Sequence, residues 1–413
     1  MNGFRCVEAP TGAEWIPVRG GAHRGFGILE YPGGLYFYCL LTELTAPAYR
    51  QAGSRHKNLF KFLHHTMYSK QFGGKVTKKL TEQYQQSANW KNGKFQNLEE
   101  TSLHISLSKM PGIIYRQFSG KLKREPAKPL PIRALDKKAF LEESKLPKMV
   151  WYGHSVLLLR LNGQTLLIDP MLGPSASPIG PVTTRRFSTN TLDLVDDFPE
   201  IDLLLLTHDH YDHLDYDSIQ KLKSKIKKYF VALGVKRHLV RWGIESDLIT
   251  EFDWWDQTDF HGIHISFTPS RHFSGRGLTD RSKSLWGGWV FKTADHNLWF
   301  SGDGGYGEHF KEIGKRLGPF DFGWMECGQY NEHWHQIHMY PEECIQAALD
   351  AKATTIMPVH WAGFTLAPHH WKEPVERFVA AAKRANVAYS VPGLGELVDL
   401  ETVKEREWWK EVG

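Results

Sequence analysis

Side chains that can ligate a metal ion are concentrated in one short stretch of the chain, THDHYDHLD at residues 207–215. His208 and His210 are two residues apart, so in an extended turn both point to one side, and Asp212 and His213 can face a second point nearby. Imidazole nitrogens and carboxylate oxygens suit zinc and other borderline divalent metals such as iron or manganese. The alternative is a solvated, His-rich surface loop, which has no reason to follow a buried strand directly.

The residues around this stretch predict the elements that would position it. Residues 201–206 are almost continuously apolar and too few for a typical helix, which predicts a strand buried on both faces. From Asp217 onward the pattern predicts an amphipathic helix. The polar stretch therefore leaves the C-terminal edge of a buried strand, where open α/β sheets place their sites.

Three further candidate ligands lie in the second half of the chain. His272, Asp303 and His360 each follow an apolar run that predicts a strand. Together with the HxHxDH pattern, these segments resemble the metallo-β-lactamase superfamily of binuclear metal hydrolases. In that family a His, a bridging Asp and a last His come from later strand ends.

The resemblance implies an α/β fold, an αββα sandwich of two mixed sheets with helices outside and metals at one edge. It also implies two divalent metal ions, with zinc as the expected metal, which would lower the pKa of a water between them. The implied ligands are His208, His210 and His272 for the first ion, Asp212, His213 and His360 for the second, and Asp303 as the bridge.

A second set of motifs resembles the N-acyl-phosphatidylethanolamine phospholipase D subgroup, over about residues 67–390. These motifs are NWKNGKFQN at 89–97, HMYPEE at 338–343 and HWAGFTL at 360–366, where the subgroup has Gly-Thr in place of Ala362-Gly363. The subgroup places a functional histidine at the position of His338, whereas His333 and His335 are extra. The resemblance implies hydrolysis to phosphatidic acid and an N-acylethanolamine, with His338 or Asp212 assisting the leaving oxygen.

Other functions remain open at this point. The L-ascorbate-6-phosphate lactonase branch shares the fold and the ligands, so a lactonase or another soluble phosphodiesterase is the first alternative. A non-catalytic di-metal scaffold is the second, and the complete ligand set argues against it. A nuclease would need an RNA-binding insertion, and none is recognisable in the sequence.

Composition and charge restrict the class and the partners. The chain has 413 residues, 41% of them hydrophobic, and a net charge of +5, which is insufficient to predict nucleic-acid binding. Its four cysteines form no CxxC pair, which favours a reducing, cytoplasmic location. We expect a phospholipid or a small phosphodiester as the substrate. Basic residues of the 67–150 region and some of the 15 tryptophans could contact a membrane peripherally, although core packing is the default for tryptophan. The sequence predicts no oligomeric state.

Three regions are expected along the chain. Residues 1–66 are rich in Gly, Pro and His and lack periodicity, which predicts an atypical polar N-terminal extension that could stem from an upstream start codon. Residues 67–148 are polar and basic and are expected to pack on the core. Residues 149–413 form the predicted hydrolase domain.

Four more residues are candidates near the site. By analogy with the family, His154 and Asp169 lie near the metals. Asp169 is expected to orient a ligand histidine rather than to bind a metal, and His154 could equally be a packed histidine. Arg185 and Arg186 could meet a phosphate or could be solvated.

Overall fold

The structure is a computed structural model that describes residues 70–102, 123–177, 184–277, 279–402 and 405–412, together with two short N-terminal strands. The chain divides into two units, Met1–His65 and Thr66–Gly413. In the first unit, the two strands pair antiparallel. The other predictions for residues 1–66 lie outside the described residues, and the domain boundaries at 66 and 148 stay predictions.

The strands are β1 (Glu14–Pro17), β2 (Gly27–Glu30), β3 (Trp90–Lys91), β4 (Lys94–Phe95), β5 (Lys148–Trp151), β6 (Leu157–Leu161), β7 (Gln164–Ile168), β8 (Leu203–Leu206), β9 (Tyr229–Ala232), β10 (Ile249–Phe252), β11 (Gln257–Phe260), β12 (Ile263–Thr268), β13 (Gly288–Lys292), β14 (Asn297–Phe300), β15 (Phe320–Glu326), β16 (Ala353–Val359), β17 (Ala388–Tyr389) and β18 (Leu397–Asp399). The helices are α1 (Lys78–Tyr84), α2 (Lys137–Leu141), α3 (Leu194–Asp197), α4 (Tyr216–Leu222), α5 (Lys236–Arg241), α6 (His309–Arg316), α7 (Pro341–Asp350) and α8 (Glu373–Ala385).

Two seven-stranded sheets form the body of the second unit, in the strand orders β10-β9-β8-β7-β6-β5-β18 and β11-β12-β13-β14-β15-β16-β17. Each sheet is mixed, since β7 to β10 and β14 to β17 run parallel and the remaining neighbours run antiparallel. Side chains of both sheets join one buried core, and Trp324 Nε1 donates to Met149 Sδ between them at 3.2 Å. Helices flank the two sheets, which confirms the predicted αββα sandwich.

The parallel part of each sheet directs chain ends toward one edge. All four residues of β8 are buried, as the continuous apolar run predicted. Helix α4 follows, and Asp215 caps it by accepting hydrogen bonds from the Ser218 backbone N–H at 2.8 Å and the Ser218 hydroxyl at 2.6 Å. The loop that contains the HxHxDH pattern is therefore fixed at both ends, by a buried strand and by a capped helix.

Close backbone contacts bring later loops to the same edge. A Cβ added at Gly287 would lie 2.2 Å from the Thr268 carbonyl oxygen, and one at Gly302 would lie 2.1 Å from the Gly287 carbonyl oxygen. Only glycine permits these approaches. As a result, Gly287 lies between the end of β12, which leads to His272, and the chain after β14, which leads to Asp303.

The large aromatic side chains mostly fill the core. Seven of the tryptophans are fully buried, namely Trp151, Trp286, Trp289, Trp299, Trp324, Trp361 and Trp409. Large hydrophobic side chains that are exposed within the described ranges are confined to Leu98, Val240 and Leu349. Within those same ranges, no helix is both long enough and apolar enough to cross a bilayer.

Candidate metal centre

The seven predicted ligands come together at one edge of the sandwich. Four of them belong to the loop between β8 and α4, and the other three follow β12, β14 and β16. Six are buried and His210 is half-buried. Strand ends that are far apart in the sequence thus supply one compact group of nitrogen and oxygen donors: His208, His210, Asp212, His213, His272, Asp303 and His360.

Three histidines form the first cluster of this group. The Nε2 atom of His208 lies 2.9 Å from Nδ1 of His210, and Nε2 of His272 lies 3.1 Å from the same atom. The side chains are oriented from behind by neutral groups, since Nδ1 of His208 is 3.0 Å from the Thr207 hydroxyl and Nδ1 of His272 is 3.0 Å from the Ile337 carbonyl. Three imidazole nitrogens that converge on one point match the donor set of a zinc site.

A second cluster lies beside the first and contains a carboxylate. The Oδ2 atom of Asp212 is 2.9 Å from Nε2 of His154, 3.2 Å from Nε2 of His360 and 3.5 Å from Nε2 of His213. His154 is fully buried. It is therefore part of the site and not merely a packed histidine, which the sequence alone had left open.

Asp303 lies between the two clusters. Its Oδ2 atom is 3.0 Å from Nε2 of both His213 and His360, and 3.9 Å from Nε2 of both His208 and His272. Asp303 Oδ2 and His213 Nε2 are both buried without a well-formed hydrogen bond to any described residue. Buried polar atoms rarely lack a partner, so these two atoms fit a bound cation.

The electrostatic states of the two clusters differ. Burial lowers the pKa of His210 to about 4 and the pKa values of His208 and His272 well below their usual value. Burial acts in the same direction on His213 and His360, but the nearby carboxylates outweigh it and raise both pKa values well above the usual range. The first cluster is therefore an uncharged set of donors, whereas the second pairs carboxylates with imidazoles.

Asp169 orients a ligand histidine, as the sequence predicted. Its Oδ2 atom lies 2.8 Å from Nδ1 of His213 and accepts the Thr207 hydroxyl at 2.6 Å, while Oδ1 accepts the Thr207 N–H at 2.9 Å. This carboxylate leaves Nε2 of His213 directed at the centre. Asp169, His154 and His360 all have positive φ angles of 43°, 54° and 67°, so strained backbone is concentrated at the site.

Glu326 belongs to the site, although it was absent from the predicted residues. It is fully buried as the last residue of β15, and its Oε1 atom lies 3.2 Å from Nδ1 of both His338 and His360. The available signal was a carboxylate at the last position of a mainly apolar strand, since a strand end is where the other ligands also lie.

Asp209, also missed, faces away from the metal donors. Its Oδ2 atom accepts the Ser284 hydroxyl at 2.6 Å and lies 3.1 Å from Nε2 of His238, and its Oδ1 atom accepts the Gly275 N–H at 2.7 Å. The alternation of an extended segment, which turns Asp209 away from its two neighbouring histidines, could have indicated this role. Asp209 therefore connects the HxHxDH loop to the loop that follows His272.

A cavity of about 370 Å³ opens above the cluster. Its lining combines site residues and Gln329 with the mainly apolar side chains of Ala176, Tyr211, Phe273, Trp334, Ile337 and Leu366. His338 lines the cavity, with its ring stacked on His360 at a centroid distance of 5.1 Å. His333 and His335 are not among the lining residues.

Neither arginine of the loop after β7 lines the cavity. Arg186 is buried, and it donates to the carbonyl of Met171 at 2.5 Å and to the carbonyl of Tyr152 at 2.7 Å. Arg185 is exposed and does not line the cavity. The guanidinium of Arg186 is thus used to hold backbone and is not available to a ligand.

This chain is similar to several known proteins. Residues 164–361 match the model of the beta-lactamase superfamily domain. An uncharacterized protein of Mycobacterium tuberculosis is 36% identical over 332 residues, which cover 79% of this chain and 88% of that protein. The N-acyl-phosphatidylethanolamine-hydrolyzing phospholipase D 1 of Caenorhabditis elegans is 30% identical over 261 residues, which cover 60% of this chain and 73% of that enzyme.

A solved structure was also matched. Igni18, a metallo hydrolase of the archaeon Ignicoccus hospitalis, aligns with a TM-score of 0.49 at 20% identity, over 61% of this chain and 97% of that chain. With the site geometry, the shared family model and the extensive identity to the nematode enzyme, this chain belongs to the metallo-β-lactamase superfamily of metal-dependent hydrolases and resembles its N-acyl-phosphatidylethanolamine phospholipase D subgroup.

Proposed function

We propose that this protein is a binuclear phosphodiesterase of the phospholipase D type, which hydrolyses N-acyl-phosphatidylethanolamine to phosphatidic acid and an N-acylethanolamine. The observation that supports this most is a cavity whose lining combines metal donors with apolar side chains. A phospholipid needs both surfaces, because its phosphodiester must reach the metals while its chains leave water.

Two divalent ions fit the donor groups. We assign His208, His210 and His272 to the first ion, Asp212, His213 and His360 to the second, and Asp303 to both. Imidazole and carboxylate donors without thiolate are compatible with zinc, which we propose as the native metal, and also with iron or manganese. When bound, such ions would supply Lewis acidity and would lower the pKa of a water molecule to about 7.

The chain itself supplies a proton donor. Nδ1 of His338 is directed at Glu326, which leaves Nε2 as the free nitrogen of a side chain that lines the cavity. We assign to His338 the proton that the leaving oxygen takes up. Asp212, the other candidate, suits this role less well, because its three histidine neighbours outweigh its burial and hold its pKa well below the usual value.

The apolar wall is suited to the hydrocarbon part of a lipid. Trp334, Ile337 and Leu366 line the cavity together with the metal donors and present mostly aliphatic and aromatic surface. Exposed lysines such as Lys75 and Lys78 could attract an anionic membrane surface, so we propose peripheral membrane contact. This contact does not involve the core tryptophans.

A soluble phosphodiester or a lactone is the second candidate substrate. The observation in its favour is the small number of large exposed hydrophobic side chains in the described ranges, since a lipid-facing surface would have more of them. The catalytic centre would be the same for either substrate class.

An assay of the purified protein decides between these substrates. Micellar N-acyl-phosphatidylethanolamine, a soluble aryl phosphodiester and a lactone are compared side by side, with the products identified by mass spectrometry. We expect phosphatidic acid from the lipid and a reduced rate in His338→Ala. Cleavage of only the soluble compounds, at a rate that His338→Ala leaves unchanged, would refute the lipid substrate and retain the metal hydrolase.

A further inference from the structure

The carboxylate of Glu326 is fully buried and is shared by two histidines. Its Oε1 atom is 3.2 Å from Nδ1 of His338 and 3.2 Å from Nδ1 of His360, and its Oε2 atom accepts the Met339 N–H at 3.0 Å. Among the described residues, Glu326 has ion pairs with these two histidines and with no lysine or arginine. A buried carboxylate is costly unless it is paired, so the two imidazoles are essential partners.

This sharing fixes the orientation of both rings. An ionised carboxylate only accepts hydrogen bonds, so Nδ1 of each histidine must be the donor. Nε2 of His360 then faces Asp212 at 3.2 Å and Asp303 at 3.0 Å. The rings of His338 and His360 are nearly parallel, with 10° between their planes. Glu326 thus holds a metal ligand and the proposed proton donor in one arrangement.

We propose that Glu326 is a positioning residue that acts through His338, in a role that rests on the proposed phosphodiesterase function. In the hydrolysis, the bond between phosphorus and the leaving oxygen breaks and the oxygen of water bonds to phosphorus. The leaving oxygen takes a proton from Nε2 of His338, and the proton that the water releases restores the histidine. Glu326 keeps Nε2 directed at the leaving oxygen and accepts the Nδ1–H throughout.

A merely structural role for Glu326 has a different consequence. Its carboxylate also holds the Met339 N–H, and its own N–H donates to the Ser301 hydroxyl at 2.9 Å, two residues before Asp303. If a change at Glu326 only loosened these segments, the hydrolysis of all substrates would slow by the same factor. A role in proton donation would slow only those substrates whose leaving group needs a proton.

The test compares two substrates of one series in the zinc-loaded full-length protein, methyl p-nitrophenyl phosphate and methyl phenyl phosphate. For Glu326→Gln, we expect kcat on the phenyl ester to fall by about 10- to 100-fold, the range for loss of a carboxylate partner of histidine. The p-nitrophenyl ester should lose much less, because p-nitrophenolate leaves without a proton. The zinc content is measured in parallel.

Matched variants serve as controls. Glu343→Gln alters a carboxylate in the first turn of α7 that accepts the Tyr340 N–H at 2.9 Å and contacts neither histidine, so the ratio of the two rates should stay at the wild-type value. In a His338→Ala background, Glu326→Gln should not change that ratio further, since its effect passes through the missing imidazole. If Glu326→Gln does not fold, Glu326→Asp replaces it and should show the same preferential loss.

Two outcomes overturn the role of Glu326 alone. One is an equal loss of both esters in Glu326→Gln or Glu326→Asp, and the other is a further change of the ratio when His338 is already alanine. A wild-type protein that hydrolyses neither these esters nor micellar N-acyl-phosphatidylethanolamine contradicts the proposed function itself. The two failures are therefore distinguishable.

Discussion

The two halves of the metal centre are oriented by different kinds of partner. In the first half, Nδ1 of His208 contacts a hydroxyl and Nδ1 of His272 contacts a backbone carbonyl. Among the described residues, no carboxylate contacts either Nδ1 atom. His213 and His360 in the second half each have a buried carboxylate at Nδ1. The first half thus depends on the loops being held in place, and the second on direct charge support of its ligands.

Asp209 shows how the first half is held. This carboxylate bonds to residues of α5 and to the loop after His272, and it contacts no metal donor side chain. Asp169 and Glu326 instead act on the imidazoles themselves. The comparison predicts that changes behind the first half mainly affect stability, and changes behind the second half mainly affect metal binding and rate.

The largest effect is expected at the residue that the two halves share. Asp303→Asn removes the charge that lies 3.0 Å from His213 and His360. We expect activity to fall by more than about 100-fold, which exceeds the range for residues that only hydrogen-bond to a metal ligand. The occupancy of both metal sites should also fall. Elemental analysis and phosphodiester kinetics measure this, with Asp295→Asn in the exposed turn before β14 as the control. Loss of only one ion with full activity would contradict the shared position.

The next effect concerns the charge support of the second half. Asp169→Asn should weaken the binding of one ion by about 10- to 100-fold and leave the other nearly unchanged. Thr207→Val, which removes the neutral partner of His208, should weaken metal binding less. Zinc titration of the apoprotein measures both variants. If Asp169→Asn weakened the binding of both ions equally, the proposed difference between the two halves would be contradicted.

The contacts of Asp209 with Arg237 and His238, which support the first half, should contribute to the free energy of unfolding. Asp209→Asn leaves Arg237 and His238 around a neutral amide, and we expect a loss of about 3 kcal/mol in the free energy of unfolding. The zinc content of the folded protein should remain that of the wild type. Urea denaturation of the zinc-loaded protein measures the change. Unchanged stability together with lost zinc would reverse the assignment of Asp209.

The smallest effect is the loss of folding stability at acid pH that His238, a partner of Asp209, causes. Burial and then Arg237 lower the pKa of His238 to about 3, below the value of about 6.5 for an unfolded histidine. The unfolded chain therefore takes up a proton that the folded chain does not, so stability is lost as the pH falls from about 6.5 towards 3. By pH 5 this histidine contributes a loss on the order of 1–2 kcal/mol. In His238→Gln, the difference in unfolding free energy between pH 7.5 and pH 5 should shrink, and an unchanged difference would exclude His238 as its source.

The sequence predicted the residues whose local context reveals their role. His208, Asp303 and His360 each follow an apolar run, so both the strand and the site edge could be predicted from neighbouring residues. The pair Asn162-Gly163 between β6 and β7 has the positive φ angles of a tight hairpin turn, 48° and 70°, which this residue pair favours from its local chemistry alone.

The residues that were missed depend on long-range contacts. Asp209 gains its role from residues about 30 and 75 positions away, and Glu326 from one 34 positions away. Arg186 was a possible phosphate contact in the sequence, and only the fold shows that two carbonyls occupy its guanidinium. Which distant groups meet a given side chain is set by packing of the two sheets, and the spacing of residues does not encode it.

The most direct test of the proposed function combines metal content with product identity in one titration. Apoprotein is reconstituted with increasing zinc, and release of phosphatidic acid and N-acylethanolamine from micellar N-acyl-phosphatidylethanolamine is followed by mass spectrometry. We predict that both products appear together and that the rate reaches its maximum at two zinc ions per chain. A maximum at one ion, or no release of these products at any zinc content, would contradict a binuclear phospholipase D.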